Sequence, residues 1–204
     1  MSSNATPRAA HLERVQKRYP HLARLTGGRN LTLRLMGDAD RDAYLAFARS
    51  LPQDDLLYLR WDMTDERVVD HWLEDIRLQR MLTVLAWDGD DIVAEASLTH
   101  SETDWTRHLG DVRMVVSPSA RGEGLGRYLA EELFVAAEII GLARLTAQMT
   151  NDQEIARAVF EGLGFEPVAV LPGHVITRNG EQRDLLIMAH DLLPRATPGA
   201  TADA

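Results

Sequence analysis

The chain has 204 residues, 45% of them hydrophobic and 26% charged, with a formal net charge of −9, which suits one compact domain with a real core. No apolar run approaches the roughly 20 residues of a membrane span, and the lack of cysteine excludes disulfides, thiolate metal ligands and a cysteine nucleophile. Residues 1–30 hold six Arg or Lys against the single acid Glu13, a balance of +5, while residues 31–204 hold 16 against 30, a balance of −14; so acidic a body repels nucleic-acid phosphates and suits a cationic small molecule or a basic protein segment.

Residues 1–10 are rich in Ser, Asn, Ala and Pro. They predict a disordered start, with no apolar segment of a secretory signal, compatible with a cytoplasmic protein. Leu12, Val15, Tyr19, Leu22 and Leu25 fall at roughly helical spacing, interrupted by Pro20 and ended by Gly27-Gly28. Residues 1–30 therefore read as an N-terminal helical extension, with the domain proper over 31–191 and a loose tail over 192–204. Leu31, Leu33 and Leu35 alternate as in a strand. Asp38 or Asp40 can cap a helix carrying Tyr44, Phe47 and Ala48, and Thr64 a second one burying Val68, Val69, Trp72, Leu73 and Ile76. Met81 to Trp87 and Ile92 to Leu98 read as a hairpin about Asp88-Gly89-Asp90-Asp91. A β-branched strand, Val112 to Val116, follows the polar stretch 99–109.

Gly124 to Ile140 is a helix with a buried stripe of Leu125, Leu129, Leu133, Ala136 and Ile140. Leu142 to Met149 is a strand. Asn151, three residues before Glu154, resembles a capping box for a helix burying Ile155, Val159 and Phe160 and stopped at Gly164. Val168 to Leu171 and Asp184 to Met188 are the last strands, with Asn179-Gly180 as a turn. Seven strands and four helices in this order predict an α/β (α+β) protein with a mixed sheet.

The chemistry is concentrated in Val112–Arg127. A strand runs into the glycine-rich turn Arg121-Gly122-Glu123-Gly124-Leu125-Gly126-Arg127 and then a helix. Successive backbone N–H groups and the helix dipole there favour an anion, glycine allows close approach, and the two arginines add charged donors. The spacing is neither a Walker A loop, which needs a lysine, nor the Gly-x-Gly-x-x-Gly dinucleotide fingerprint. Nucleotide-phosphate binding on the same loop stands as an alternative.

What fits is Arg-x-x-Gly-x-Gly at Arg121, Gly124 and Gly126, which resembles the acyl-CoA pyrophosphate motif of the GNAT superfamily of N-acetyltransferases. Two further features support the match: Asn151 ahead of the segment Val159-Phe160-Glu161-Gly162-Leu163-Gly164-Phe165, and the place of the motif after the fourth strand. The resemblance spans about residues 31–191 and implies a mixed, mostly antiparallel sheet of about seven strands with four flanking helices. It also implies that the fourth and fifth strands splay around the pantetheine arm of acetyl-CoA. Met114, Val115 and Val116 would then pair with that arm, with one N–H polarising the thioester carbonyl. Arg121, Gly122, Glu123, Gly124, Leu125, Gly126 and Arg127 would hold the pyrophosphate, and Phe160 would line the thiol end. Asn151 would contact the arm, or act only as a helix cap.

The implied reaction is attack of an amine on a thioester. An alkylammonium is neutral in roughly one molecule per thousand at pH 7, so a general base helps. Asp111, ten residues before Arg121, is the first candidate; protein-lysine acetyltransferases of the superfamily place a glutamate at this spacing, so the shorter aspartate implies a relaying water. Its plain alternative is a solvated strand-edge acid. Glu95, the one acid between Ile92 and Leu98, shares a strand face with Ser97 and either reaches the acceptor pocket or meets solvent. His100 and His108 are further base candidates beside the polar loop. Many members of the family use a tyrosine as the thiolate's acid where this chain has Phe160.

Residues 31–110 hold 17 acids against 8 bases, which favours a cationic amine acceptor, walled by Tyr58, Trp61, Trp72 and Trp105 or with Trp72 in the core. No histidine pair has metal spacing with an acid, so no metal is expected, nor a nucleic-acid or membrane partner; a homodimer is allowed. The expected activity is N-acetyl transfer from acetyl-CoA to a primary amine, on a small molecule or a protein lysine, in a ternary complex. The competing class is an acyl-CoA-binding module without turnover.

Overall fold

A computed structural model describes residues 7–192 except Tyr58 and Glu102. The expected disorder of the first residues, the tail beyond 192 and the placement of Tyr58 lie outside the described residues. The order is α1 (Pro7–Gln16), β1 (His21–Arg24), β2 (Asn30–Leu35), α2 (Arg41–Ser50), α3 (Gln53–Leu57), α4 (Glu66–Arg77), β3 (Met81–Asp88), β4 (Asp91–His100), β5 (Leu109–Val116), α5 (Leu125–Ile140), β6 (Arg144–Thr150), α6 (Glu154–Gly162), β7 (Glu166–Ile176) and β8 (Gln182–Asp191).

One sheet of eight strands runs β1-β2-β3-β4-β5-β6-β8-β7. All neighbours are antiparallel except β5 and β6. The expected mixed, mostly antiparallel sheet is therefore present, with eight strands in place of seven. The extra one is β1, where helical spacing predicted a helix through residue 25. The helix stops at Gln16, and His21–Arg24 adds to the edge of β2 with Ala23 buried and Leu22 out in solvent. Short α3 carries no periodic signal over its five residues.

Strand alternation sorts the core onto the two sheet faces. Leu82, Val84 and Ala86 of β3 with Ala94, Ala96 and Leu98 of β4 pack under Leu125, Leu129, Leu133 and Ala136 of α5, along with Leu12 and Val15 of α1. Leu85 and Val115 face the other way, against Tyr44 and Phe47 of α2 and Val69, Trp72 and Leu73 of α4. Helix α4 starts at Asp65 rather than Thr64: the Asp65 carboxylate accepts the Arg67 N–H at 2.9 Å, which satisfies an orphan donor of the first turn.

Two starts and stops differ at the C-terminal end. Asn151 is not the cap of α6; that position is Gln153, whose side chain accepts from the Thr150 N–H at 3.0 Å, while the Asn151 N–H donates to the Asp184 carbonyl at 2.9 Å. Ile155 and Val159 are exposed at 86% and 41%, so Phe160 is the apolar residue that α6 buries. Beyond it the chain turns at Gly164, φ +85°. The hairpins at Gly89 (φ +61°) and Gly180 (φ +85°) form where the sequence placed them.

Candidate active site

The parallel ladder between β5 and β6 has three residue pairs: Leu109 with Arg144, Gly110 with Leu145 and Asp111 with Thr146. Gly110 allows the closest approach. A Cβ there would come within 2.7–2.9 Å of Leu98, Leu145 and Leu142 side-chain carbons. Past Asp111 the strands part, and among the described residues β5 from Arg113 to Val116 pairs only with β4. The Ser117 N–H donates to the Val93 carbonyl of β4 at 2.9 Å. Backbone groups alternate in direction along a strand, so those of Met114 and Val116 face the gap and those of Val115 face β4. The Val116 carbonyl accepts from Arg121 Nε at 3.0 Å.

The gap leads up to the glycine turn. Gly122 and Gly124 sit at φ +80° and +82°, a backbone that non-glycine residues rarely adopt. Gly124 precedes the first turn of α5, and there the N–H groups of Leu125, Gly126 and Arg127 have no acceptor within the helix. Arg121 also donates to Asp55 of α3 at 2.6 Å. Arg127 pairs with Glu131 on the exposed face of α5, and Glu123 lies beside Arg29. Leu125 itself is buried, so only its backbone faces the turn.

At the lower end of the gap, a cavity of about 150 Å³ is lined by Arg60, Ser97, Asp111, Arg113, Met114 and Phe160, among others. Phe160 is held edge-on to Phe165 at 5.0 Å between centroids. Asp111 also lines the neighbouring cavity of about 1080 Å³, which opens between α4, β3 and the 99–109 loop. It is the acid common to both. Thr146 Oγ1 donates to Asp111 Oδ1 at 3.1 Å and Arg60 lies 3.5 Å from Oδ2. Burial raises the Asp111 pKa above the usual carboxylate range, against the opposing effects of Arg60, Thr146 and Arg113. Arg60 is itself steered by Gln148, whose Oε1 accepts from it at 2.6 Å.

Glu95 neither reaches the acceptor cavity nor meets solvent. It is fully buried on the α2/α4 face, where Arg113 donates to it at 2.7 Å and Ser97 Oγ at 2.7 Å. Ser97 continues to Thr83 at 3.1 Å, and Thr83 accepts the Trp72 indole N–H at 2.9 Å. The Arg113 guanidinium also stacks 4.2 Å from the Trp72 ring. Trp72 is thus core at one end and cavity wall at the other. Burial opposes the charge on Arg113, but Glu95 and Tyr44 hold its pKa above the ordinary value. His108 is exposed and lines neither cavity; His100 is buried on the larger one. Asn151 is exposed, and Trp105 is outside both walls.

Arg60, Gln148, Thr146 and Arg113 were not singled out in the sequence. Only Thr146 had a usable signal, as the residue opposite Asp111 once β5 and β6 run parallel. The wall of the larger cavity carries both signs of charge: Asp65, Asp75 and Asp111 against Arg60, Arg67 and Arg80, with His71 and His100 between them.

The Acetyltransferase (GNAT) family model matches residues 44–165. YwnH of Bacillus subtilis (strain 168), named provisionally as a phosphinothricin acetyltransferase, is 24% identical over 166 residues, covering 79% of this chain and 99% of the relative. Among solved structures, yncA of Salmonella typhimurium, described with its cofactor acetyl-CoA, has a TM-score of 0.70 at 23% identity, covering 84% of this chain and 99% of its own. A ribosomal-protein-alanine N-acetyltransferase from Brucella melitensis has a TM-score of 0.66 at 24% identity, covering 78% and 98%.

Proposed function

Because the chain belongs to the GNAT acetyltransferase family, we propose that it moves an acetyl group from acetyl-CoA to a primary amine by direct attack in a ternary complex, with Asp111 as the base. The observation that carries this reading is the three-pair neck between β5 and β6, which leaves Met114 and Val116 facing a gap that ends on Asp111. The relatives' fold is shared, and yncA is described with acetyl-CoA.

Each residue has a task. The backbone of Gly122 to Arg127 offers N–H donors to a pyrophosphate at a helix start. The guanidinium of Arg121 adds charge at the same end while its Nε fixes the Val116 carbonyl. Met114 and Val116 present amide groups to the pantetheine arm, and an N–H there stabilises negative charge developing on the thioester oxygen. Phe160 supplies an apolar wall and no proton, so the departing thiolate takes its proton from water or from the amine. Asp111, its pKa raised by burial, accepts a proton from the acceptor's ammonium directly or through one water, which frees the amine lone pair to attack. Glu95 keeps Arg113 paired and is a structural acid. Asn151 and His108 receive no task.

The acceptor enters through the larger cavity. An amine is drawn to Asp111, while Arg60, Arg67 and Arg80 suit an acceptor that also carries an acid group. The name of YwnH points to acceptors of that kind. The lack of cysteine and the choice of donor fit a cytoplasmic setting.

The test is calorimetric titration with acetyl-CoA, with ATP and NAD as controls, followed by thiol release over an amine panel. Micromolar acetyl-CoA binding with transfer to at least one amine is expected. Preference for ATP or NAD would overturn the reading, and acetyl-CoA binding with no transfer to any amine would convert it to a sensor.

A further inference from the structure

The turn between β1 and β2 reaches across to the glycine loop. It is closed by the Gly28 N–H donating to the Leu25 carbonyl and the Leu25 N–H donating to the Arg29 carbonyl, both at 2.9 Å. From this turn Thr26 Oγ1 donates to the Glu123 carbonyl at 3.1 Å, and Arg29 Nη1 donates to the Ser119 carbonyl at 3.0 Å. Two points of the 117–124 loop are thereby held from behind. Arg29 Nε and Nη2 both reach Asp88 at the β3–β4 turn, at 3.0 and 2.6 Å, and Nη1 lies 3.4 Å from Glu123 Oε1. All three guanidinium nitrogens are engaged by protein groups, and four of the five N–H donors are used.

Glu123 makes this arrangement consequential. It is the one acid between Ser117 and Arg127, in a loop whose proposed ligand is a pyrophosphate. A free carboxylate there would repel the ligand; paired behind the loop, its charge is offset. We propose that Arg29 is a positioning residue for acyl-donor binding, which holds Glu123 off the donor's phosphates and fixes the Ser119 end of the loop. The proposal rests on the acyl-CoA reading of the loop. It gives the basic N-terminal segment a role in the reaction through the loop and not through contact with substrate.

The experiment measures the acetyl-CoA dissociation constant by calorimetry and the melting temperature for the full chain and four variants: Arg29→Ala, Arg29→Lys, Glu123→Gln and the double variant Arg29→Ala/Glu123→Gln. Loss of one charge-assisted pair beside an anion site predicts about tenfold weaker binding in Arg29→Ala. Arg29→Lys, which keeps the charge but not the fork, falls between it and the parent. Adding Glu123→Gln to Arg29→Ala is expected to restore most of the lost affinity, because the stranded carboxylate is gone. A scaffold role alone would not give that rescue. Unchanged affinity in Arg29→Ala overturns the proposal, as does a loss that Glu123→Gln leaves unrepaired. Arg29→Lys serves the same comparison if the alanine variant fails to fold. A parent chain that takes up no acetyl-CoA overturns the reading of the loop itself, which is a different result from a parent that binds and an Arg29→Ala that binds equally.

Discussion

Asp111 and Glu95 stand 16 positions apart as two acids on adjacent strands, and their surroundings are opposite in kind. Asp111 sits at the parting of β5 and β6 with two open cavities beside it, whereas Glu95 is enclosed with Arg113, Ser97 and Trp72 around it. Asp111→Asn should lower kcat by on the order of 10²–10⁴-fold with little change in acetyl-CoA affinity, checked by thiol-release kinetics. The sign of its effect on stability is opposite. A carboxyl whose folded pKa is raised above its unfolded value costs stability once pH rises through the folded pKa. Asp111→Asn should therefore melt higher than the parent at neutral pH and equally below the ordinary carboxylate range. With Asp111 as the base, the same raised pKa should place the acid limb of kcat/KM above the pH expected for an ordinary aspartate. Glu95→Ala should cost about 3–5 kcal/mol in denaturant unfolding, because it strands a largely buried guanidinium. Parity along β4 was legible and correctly put Glu95 and Ser97 on one face. The occupant of that face was not, since Arg113 comes from the next strand and Trp72 from a helix 23 positions earlier.

At the scale of elements, the glycine turn was the most legible part of the chain. Gly122 and Gly124 occupy left-handed backbone, so glycine there reports a conformation whatever the turn binds. Gly124→Ala must hold an L-residue at φ +82° with a Cβ only 3.1 Å from Thr26 Oγ1. It should cost about 1–2 kcal/mol of stability and, by displacing the start of α5, weaken acetyl-CoA binding more than Gly180→Ala, which lies at φ +85° in the β7–β8 turn with open space around it. Calorimetry on the two variants makes the comparison. The misread elements carried a periodic signal that did not say where the element ends or which side it buries. Four-residue β1 continues the apolar spacing of α1 past Pro20, and its one outward leucine is exposed at 70%. Helix α6 has a clear apolar stripe, yet Ile155 and Val159 on it face outward. Amphipathic spacing shows that a helix forms, but not which side the sheet covers.

For the whole molecule, the summed charge of residues 31–110 differs from the charge of the cavity wall. The acids of residues 31–110 are mostly spread over outer surfaces in pairs such as Arg41 with Asp70 and Arg77 with Asp38, while the cavity wall balances three acids with three arginines. An amino acid or an acid-bearing amine should therefore outcompete a polyamine in the thiol-release panel. Saturation with acetyl-CoA at about 100 times its dissociation constant should add ~2.7 kcal/mol to stability, which for a chain of this size is roughly 5–10 °C in melting temperature; ATP and NAD should add nothing.

The narrow neck between β5 and β6 also has a mechanical side. Backbone continuity between the blade β1 to β5 and the blade β6, β8, β7 rests on three facing residues per strand, with α5 bridging one face. Under the proposed function, a ligand laid into the notch above that neck would act as a removable length of strand, stapling the blades on binding and freeing them when product leaves. Amide hydrogen exchange would register this as slow exchange at Met114 and Val116 in the loaded protein and fast exchange in the empty one. The amides of β2, three strands away from β5, would keep one rate throughout.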